Sequence, residues 1–257
     1  MSGTRMAGEW WRRLPAAERA EYERSVATPR VNLAASPELR EAVLAIQRHL
    51  EADDCNATES ASRHLVALVC RKLGLPPVAV RVAGVRPHDR HGELHGLYTP
   101  DGGPGRDLIT VWMRTAQRRD VVAAKTFLRT LLHEVCHHLD FFGLDLPHSF
   151  HTQGFYRREA SLYRALTRGT PLAVAPRGNR ATGKAPVAAR AEREAAEVRE
   201  VSAEVERAAR KLGFAPRRRD AAGREEPISG IELLTAVAAA ITARKRGDQD
   251  EPGGDGQ

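Results

Sequence analysis

Apolar residues in the first third of the chain recur at helical spacing. Between positions 39 and 50 they fall every three or four residues, and Ser36 followed by proline predicts an N-cap for this helix. A second apolar stripe covers positions 65–73, and Asn56 with Glu59 resembles a capping box at its start. The folded part of the chain is therefore predicted to begin with two helices.

Three shorter stretches further along the chain favour β-strands. Positions 78–83 alternate apolar with small or polar residues, as expected of a half-buried strand. The stretches 94–99 and 108–115 flank a segment, 100–105, that is rich in proline and glycine and indicates a hairpin connection. A small sheet, antiparallel or mixed, is the expected result.

The longest helix is predicted for positions 121–142, which contain neither glycine nor proline. Asp120 is its expected N-cap, and Gly143 its expected end. A further helix is predicted from Gln153 to Thr167, with Thr152 as its cap. Helices on both sides of a group of strands predict an α+β domain in which the sheet packs on helices.

Composition divides the chain into one folded domain with extensions. The residues between Pro171 and Pro186 are mainly Ala, Pro, Gly, Arg and Thr without periodicity, which indicates a linker. A heptad-like series of small apolar residues in 191–213 predicts a charged helix with a weak capacity for self-association. The predicted segments are an N-terminal arm (1–34), the folded domain (35–168), a linker (169–190), the charged helix (191–213), a second linker (214–228), a helix (229–246) and a disordered tail (247–257).

Histidine and glutamate occur in a metal-binding pattern within the long helix. His133 and His137 are four residues apart and so lie on one face of a helix, where two imidazoles can bind a single ion. Glu134 adjoins the first histidine, where it can act as base on a zinc-activated water. The pattern predicts Zn²⁺ as the cofactor and hydrolysis as the reaction class.

A catalytic zinc site needs a third protein ligand, with the fourth position left to water. His148, His151 and Glu159 follow the motif closely enough in the sequence to supply that ligand. Asp140 lies on nearly the same helix face as His133 but too far along the axis to reach the same ion. We expect Asp140 either to orient a ligand imidazole or to be solvated near the helix end.

Two segments of the chain carry a family resemblance. His133-Glu134-Val135-Cys136-His137, followed after a loop by His151-Thr152-Gln153-Gly154-Phe155-Tyr156, resembles the SprT-like and related WLM-type zinc metallopeptidases of the zincin superfamily. The resemblance implies a zincin-like domain with the motif on a long central helix, and peptide-bond hydrolysis with Glu134 as general base. It also implies that His151 is the third ligand and that Phe155 packs beneath it.

The same resemblance implies where a polypeptide substrate would bind. The strand that contains Ile109, Val111 and Trp112 would lie at the edge of the sheet, where an extended peptide can add through main-chain hydrogen bonds. These three residues are therefore the expected substrate contacts.

A second histidine pair, His91 and His95, has the same spacing as the motif. Gly92 and the neighbouring Arg90 and Pro87 favour a loop that enters a strand rather than a helix. A surface or cleft-lining role is expected for this pair in preference to a second metal site.

Charge adds an alternative function. The chain carries a net charge of +7, and the clusters Arg217–Arg219 and Arg244–Arg246 could contact nucleic acid. Short basic runs more often lie on solvated faces, so this partner is the weaker expectation. The alternative to a peptidase is a non-catalytic zincin-like scaffold or a DNA-associated binding protein that acts through its basic C-terminal helices.

Neither export nor membrane insertion is expected from the sequence. The N-terminal residues lack the apolar run of a secretory signal, and the uncharged stretch 233–243 is too short to span a bilayer. The three cysteines do not form a disulfide-like pattern, which fits a reducing compartment. A cytoplasmic location is therefore predicted.

Overall fold

A computed structural model describes residues 10–89, 92–100, 107–169, 172, 217–219 and 225–227. Within these residues the protein combines helices with short strands and belongs to the α+β class, as predicted. A 3₁₀ turn at Trp10–Arg13 precedes the first helix. The helices are α1 (Ala16–Ala27), α2 (Pro37–Glu51), α3 (Cys55–Leu73), α4 (Ala124–Gly143) and α5 (Gln153–Thr167). The strands of the same part of the chain are β1 (Ala79–Val85), β2 (His88–Asp89), β3 (Gly92–Glu93), β4 (Gly96–Thr99) and β5 (Leu108–Arg114).

The main sheet contains β1, β5 and β4, in that order across the sheet. β1 runs parallel to β5, whereas β4 runs antiparallel to it. The prediction of a small antiparallel or mixed sheet is therefore confirmed in its mixed form. β2 and β3 make a separate antiparallel pair.

The position of β5 contradicts the prediction made for Ile109, Val111 and Trp112. β5 is the middle strand of the sheet, so its backbone groups already bond to β1 and β4, and the prediction of an edge strand is wrong. All three side chains are buried. The nearly continuous apolar run of β5 is typical of a strand covered on both faces, which is a property of middle strands rather than of edges.

Two predicted helix caps are confirmed. The Ser36 side chain accepts a hydrogen bond from the Leu39 amide, with Pro37 as the first residue of α2. The Thr152 hydroxyl accepts a hydrogen bond from the Phe155 amide at the start of α5. In both cases a short side chain supplies an acceptor to an amide that has no partner within its helix.

The capping box predicted at Asn56 and Glu59 is wrong. Asp54 caps α3 instead, because its carboxylate accepts a hydrogen bond from the Ala57 amide at 2.9 Å. Glu59 faces the sheet, where its carboxylate accepts a hydrogen bond from the Val82 amide. Helix α3 thus begins earlier than predicted, and Glu59 ties it to β1.

The long helix begins later than predicted. Ala123 occupies the N-cap position of α4 and makes no side-chain cap, so the prediction of Asp120 as the cap is wrong. The backbone carbonyl of Asp120 instead accepts a hydrogen bond from the Thr115 amide, and Val121 bridges Arg114. The chain makes a short return along β5 before α4 starts, and this pairing competes with helix formation.

Helix α4 packs against β4 and β5 and also contacts α2 and α5. Its apolar residues join the main core, where Phe127, Leu128 and Leu131 are almost fully buried. The packing leaves the stripe that contains His133 and His137 partly exposed at the margin of the core.

Most of the predicted C-terminal segments lie outside the described residues. These segments are the charged helix 191–213, the helix 229–246, the tail 247–257 and almost all of the linker 169–190. Within the predicted linker 214–228, a strand β6 (Arg217–Arg219) pairs antiparallel with a strand β7 (Glu225–Pro227). None of the helices in the described ranges has the length and hydropathy required to cross a bilayer.

Candidate metal centre

The histidine-glutamate motif lies on α4, one helical turn separating its two histidines. His133 and His137 are partly exposed, whereas Glu134 is buried and lies against Gly96 of β4. The imidazole rings of the two histidines are 5.0 Å apart, measured between centroids. The helix therefore presents both rings on one side, as the four-residue spacing predicts.

His151 completes a cluster of three imidazoles. Its Nε2 atom lies 3.1 Å from Nε2 of His133 and 3.1 Å from Nε2 of His137. A tetrahedral ion with metal–nitrogen distances of about 2.0–2.1 Å places its ligand atoms about 3.3–3.4 Å apart, close to these separations. The three histidines lie close enough to hold a metal ion.

The outer nitrogens of two of these rings have defined partners. Nδ1 of His133 lies 3.4 Å from the Glu159 carboxylate, and Nδ1 of His137 lies 2.8 Å from the Ser149 hydroxyl. Because a carboxylate accepts hydrogen bonds, this contact places a hydrogen on Nδ1 of His133, and the neutral form of the ring then has its lone pair on Nε2. Glu159, one of the three candidate third ligands, thus contacts the outer nitrogen of His133 rather than the centre of the cluster.

Phe155 forms an apolar floor under the cluster. Its ring centroid lies 4.9 Å from that of His133, 4.8 Å from that of His137 and 4.9 Å from that of His151. The side chain is fully buried. An apolar surface of this kind restricts the movement of the rings and excludes water from one side of the site.

Glu134 is held between α4 and β4. A Cβ atom on Gly96 would lie 2.5 Å from Oε1 of Glu134, so the close approach requires glycine at this position. The Tyr98 amide donates a hydrogen bond to the carboxylate. Burial raises the pKa of Glu134 to about 7, although the His133 charge and the Tyr98 amide act in the opposite direction.

The three imidazoles have different electrostatic surroundings. Burial, followed by the charges of His133 and His151, holds the pKa of His137 well below its usual value. Burial and the His133 charge also lower the pKa of His151. Burial acts to lower the pKa of His133 too, but the hydrogen bond from Nδ1 to Glu159 and the charge of Glu134 raise it overall. His137 and His151 are therefore neutral near pH 7, the form that binds metal.

His148 lies away from the cluster. Its backbone amide and its Nδ1 both donate to the Glu21 carboxylate, each at 2.6 Å. The described residues that can hold a metal together are His133, His137 and His151, so His148 is positioned as a structural residue of the loop.

Asp140 lies beside the cluster in a buried ion pair. Its Oδ2 atom accepts a hydrogen bond from Arg158 at 2.8 Å and another from the Ser149 hydroxyl at 3.1 Å. The residue is 0% exposed, which contradicts the second of the two expectations for Asp140, that it is solvated near the helix end. Ser149 connects it to His137.

Residues of α1 and its C-cap form hydrogen bonds with the residues that follow His151, and the sequence did not predict these contacts. Ser25 shares a hydrogen bond with Thr152, and Arg158 donates to the backbone carbonyls of Ser25 and Thr28. A Cβ atom on Gly154 would overlap the Ser25 carbonyl, which shows how closely α1 approaches α5. Part of the predicted N-terminal arm is therefore packed against the site.

None of the three predicted substrate contacts belongs to the histidine cluster, and neither does His95. Ile109, Val111 and Trp112 are buried within the sheet, and β4 separates β5 from the outer edge. His95 is exposed, and His91 lies outside the described residues. The strand that adjoins Glu134 is β4, through Gly96 and Tyr98.

Comparison of the chain with protein-family models, with curated proteins and with solved structures finds no significant match.

Proposed function

We propose that this protein is a zinc-dependent metallopeptidase that resembles the SprT-like and WLM-type zincins. The proposal depends on three Nε2 atoms that lie close together, two of them on the same helix as the buried Glu134. Three imidazoles are a common ligand set for catalytic zinc, and they leave one coordination position open. His133, His137 and His151 would hold the ion.

When bound, zinc polarises a carbonyl group and lowers the pKa of water. Glu134 is the general base in this proposal, because it adjoins His133 and its pKa of about 7 suits a group that accepts and returns a proton near neutral pH. The Tyr98 amide and the space left by Gly96 hold its carboxylate in position. Glu134 would then pass the proton to the leaving amine.

A polypeptide substrate is expected on the outer edge of β4. The Trp112 amide donates to the His95 carbonyl, so by antiparallel alternation Gly96 and Tyr98 direct their backbone groups away from β5. Among the described strands, none pairs with this side of β4. The Tyr98 amide already donates to Glu134, so an extended peptide would add here through the other outward main-chain groups of Gly96 and Tyr98, next to Glu134.

Zinc content and hydrolysis of an unfolded polypeptide, measured together on the wild type and four variants, test the proposal. The wild type should bind one zinc and hydrolyse, and Glu134→Gln should keep zinc but lose hydrolysis because the base is gone. His151→Ala should lose zinc, whereas His148→Ala, which removes one contact to Glu21 but none of the three proposed ligands, should still bind one zinc per chain.

Each result separates one part of the proposal from the others. Unchanged turnover in Glu134→Gln would remove Glu134 from the mechanism. Stoichiometric zinc without hydrolysis in the wild type would instead favour the non-catalytic scaffold. His64→Ala, an exposed change on α3, controls for the loss of a histidine elsewhere on the chain.

A further inference from the structure

We propose that Ser149 is a positioning residue that fixes which nitrogen of His137 carries hydrogen, and so keeps Nε2 available for the metal. This inference rests on the proposed metal site but not on hydrolysis. Ser149 lies in the loop between α4 and α5, and its hydroxyl contacts both Asp140 and His137.

The direction of the hydrogen bonds follows from Arg158 and Asp140. Arg158 can only donate, and it donates to Oδ2 of Asp140 at 2.8 Å. The Ser149 hydroxyl donates its single hydrogen to the same oxygen at 3.1 Å. Because that hydrogen is committed, the Ser149 oxygen can only accept from His137.

His137 must therefore carry its hydrogen on Nδ1, which lies 2.8 Å from the Ser149 oxygen. Its Nε2 then presents a lone pair towards the centre of the cluster, 3.1 Å from Nε2 of His151. A neutral imidazole with the opposite tautomer would place a hydrogen at the metal position. The hydroxyl thus selects the tautomer that binds metal.

The backbone conformation of Ser149 is strained. Its φ is +41°, in the left-handed region that residues other than glycine seldom adopt. The Ser149 amide bonds to the Leu146 carbonyl, which fixes the turn that aims the hydroxyl at His137. A glycine at this position would adopt the same backbone without strain but would lack the hydroxyl.

Ser149→Gly in the full chain tests the inference by two measurements. Long-range ¹H–¹⁵N spectra of the metal-free protein should show the Nδ1–H tautomer of His137 in the wild type and a mixture of tautomers in the variant. Zinc affinity, from competition with a chelator, should fall about 10–100-fold, the usual loss for a group that orients a ligand.

Two further variants separate the hydroxyl from the backbone. Ser149→Ala removes the same hydroxyl without adding glycine flexibility, so it should give the same tautomer change. Ser161→Ala, whose hydroxyl bonds to Val31 away from the cluster, should behave as wild type. Circular dichroism checks that each variant is folded.

The inference would be overturned if both Ser149 variants had the same His137 tautomer and the same zinc affinity as the wild type. Failure of the wild type to bind zinc would count against the proposed function instead. The tautomer is read in the metal-free chain, so it still decides whether Ser149 controls His137.

Discussion

His133 and His137 lie on a helix, whereas His151 lies on the loop that leads into α5. The helical pair is placed by the 3.6-residue repeat and by the packing of α4 on the sheet. The loop that carries His151 is placed by polar contacts that come from distant parts of the chain, including Glu21 and Arg158. The placement of two of the three histidines thus depends on local periodicity, and the placement of the third depends on tertiary hydrogen bonds.

The largest expected effect comes from Arg158→Met. Arg158 is fully buried, pairs with Asp140 and donates to the carbonyls of Ser25 and Thr28, so its loss removes the only cation paired with a buried carboxylate in the described network and one donor from each carbonyl. Removing one partner of a buried ion pair costs about 3–5 kcal/mol. The free energy of unfolding, measured with urea, should decrease by this amount. Zinc affinity should also fall, because the loop that carries His151 loses the contacts that Arg158 makes.

Arg157→Met is the matched control for this change. Arg157 is the preceding residue of α5 and is exposed. Its replacement should alter the free energy of unfolding by less than about 0.5 kcal/mol. Equal stability losses in the two variants would mean that the buried network around Arg158 does not hold the loop.

Local and tertiary features of the site also differ in how well the sequence predicts them. The spacing of His133 and His137 and the cap at Thr152 are local features, and the structure has both on the expected elements. The place of β5 in the sheet depends on pairing with β1 and β4, and the brace from Glu21 depends on a contact across 127 positions. No residue pattern within a short window encodes such contacts.

Errors at helix starts have the same origin. Asn56 and Glu59 fit a capping box, but Asp54 has the better-placed carboxylate and Glu59 bonds to the sheet. Asp120 is a good cap by residue type, yet strand pairing after β5 occupies its backbone. Local propensity predicts an element well only where no tertiary contact competes for the same groups.

Gly96→Ala tests the helix side of the site, with an intermediate effect. The added methyl group would lie 2.5 Å from Oε1 of Glu134 and 2.7 Å from Cγ2 of Thr130, so the glutamate must move. Overpacking of this kind costs about 1–3 kcal/mol. Peptide hydrolysis should fall by a larger factor than zinc affinity, because the displaced group is the proposed base and not one of the three proposed ligands.

Zinc content, the hydrolysis rate and urea unfolding should be measured on the same preparation of the Gly96→Ala chain. Gly143→Ala, on the far end of α4, is a control for adding a methyl group near the core. Equal losses of hydrolysis in both glycine variants would assign the effect to general destabilisation. Full hydrolysis in Gly96→Ala would show that Glu134 does not need the position it has beside β4.

The smallest effect is expected for Glu21→Gln, which weakens the hydrogen bonds between α1 and the His148 loop without removing the side chain. Glu21 is 2% exposed and accepts two short hydrogen bonds from His148, one of which an amide group can no longer accept. The loss of a charge-assisted hydrogen bond should lower the free energy of unfolding by about 1–2 kcal/mol.

Glu23→Gln, an exposed change on α1, should leave the free energy of unfolding unchanged. If zinc affinity falls in Glu21→Gln but not in Glu23→Gln, α1 contributes to the metal site through the loop; if neither variant changes it, the loop holds His151 without α1.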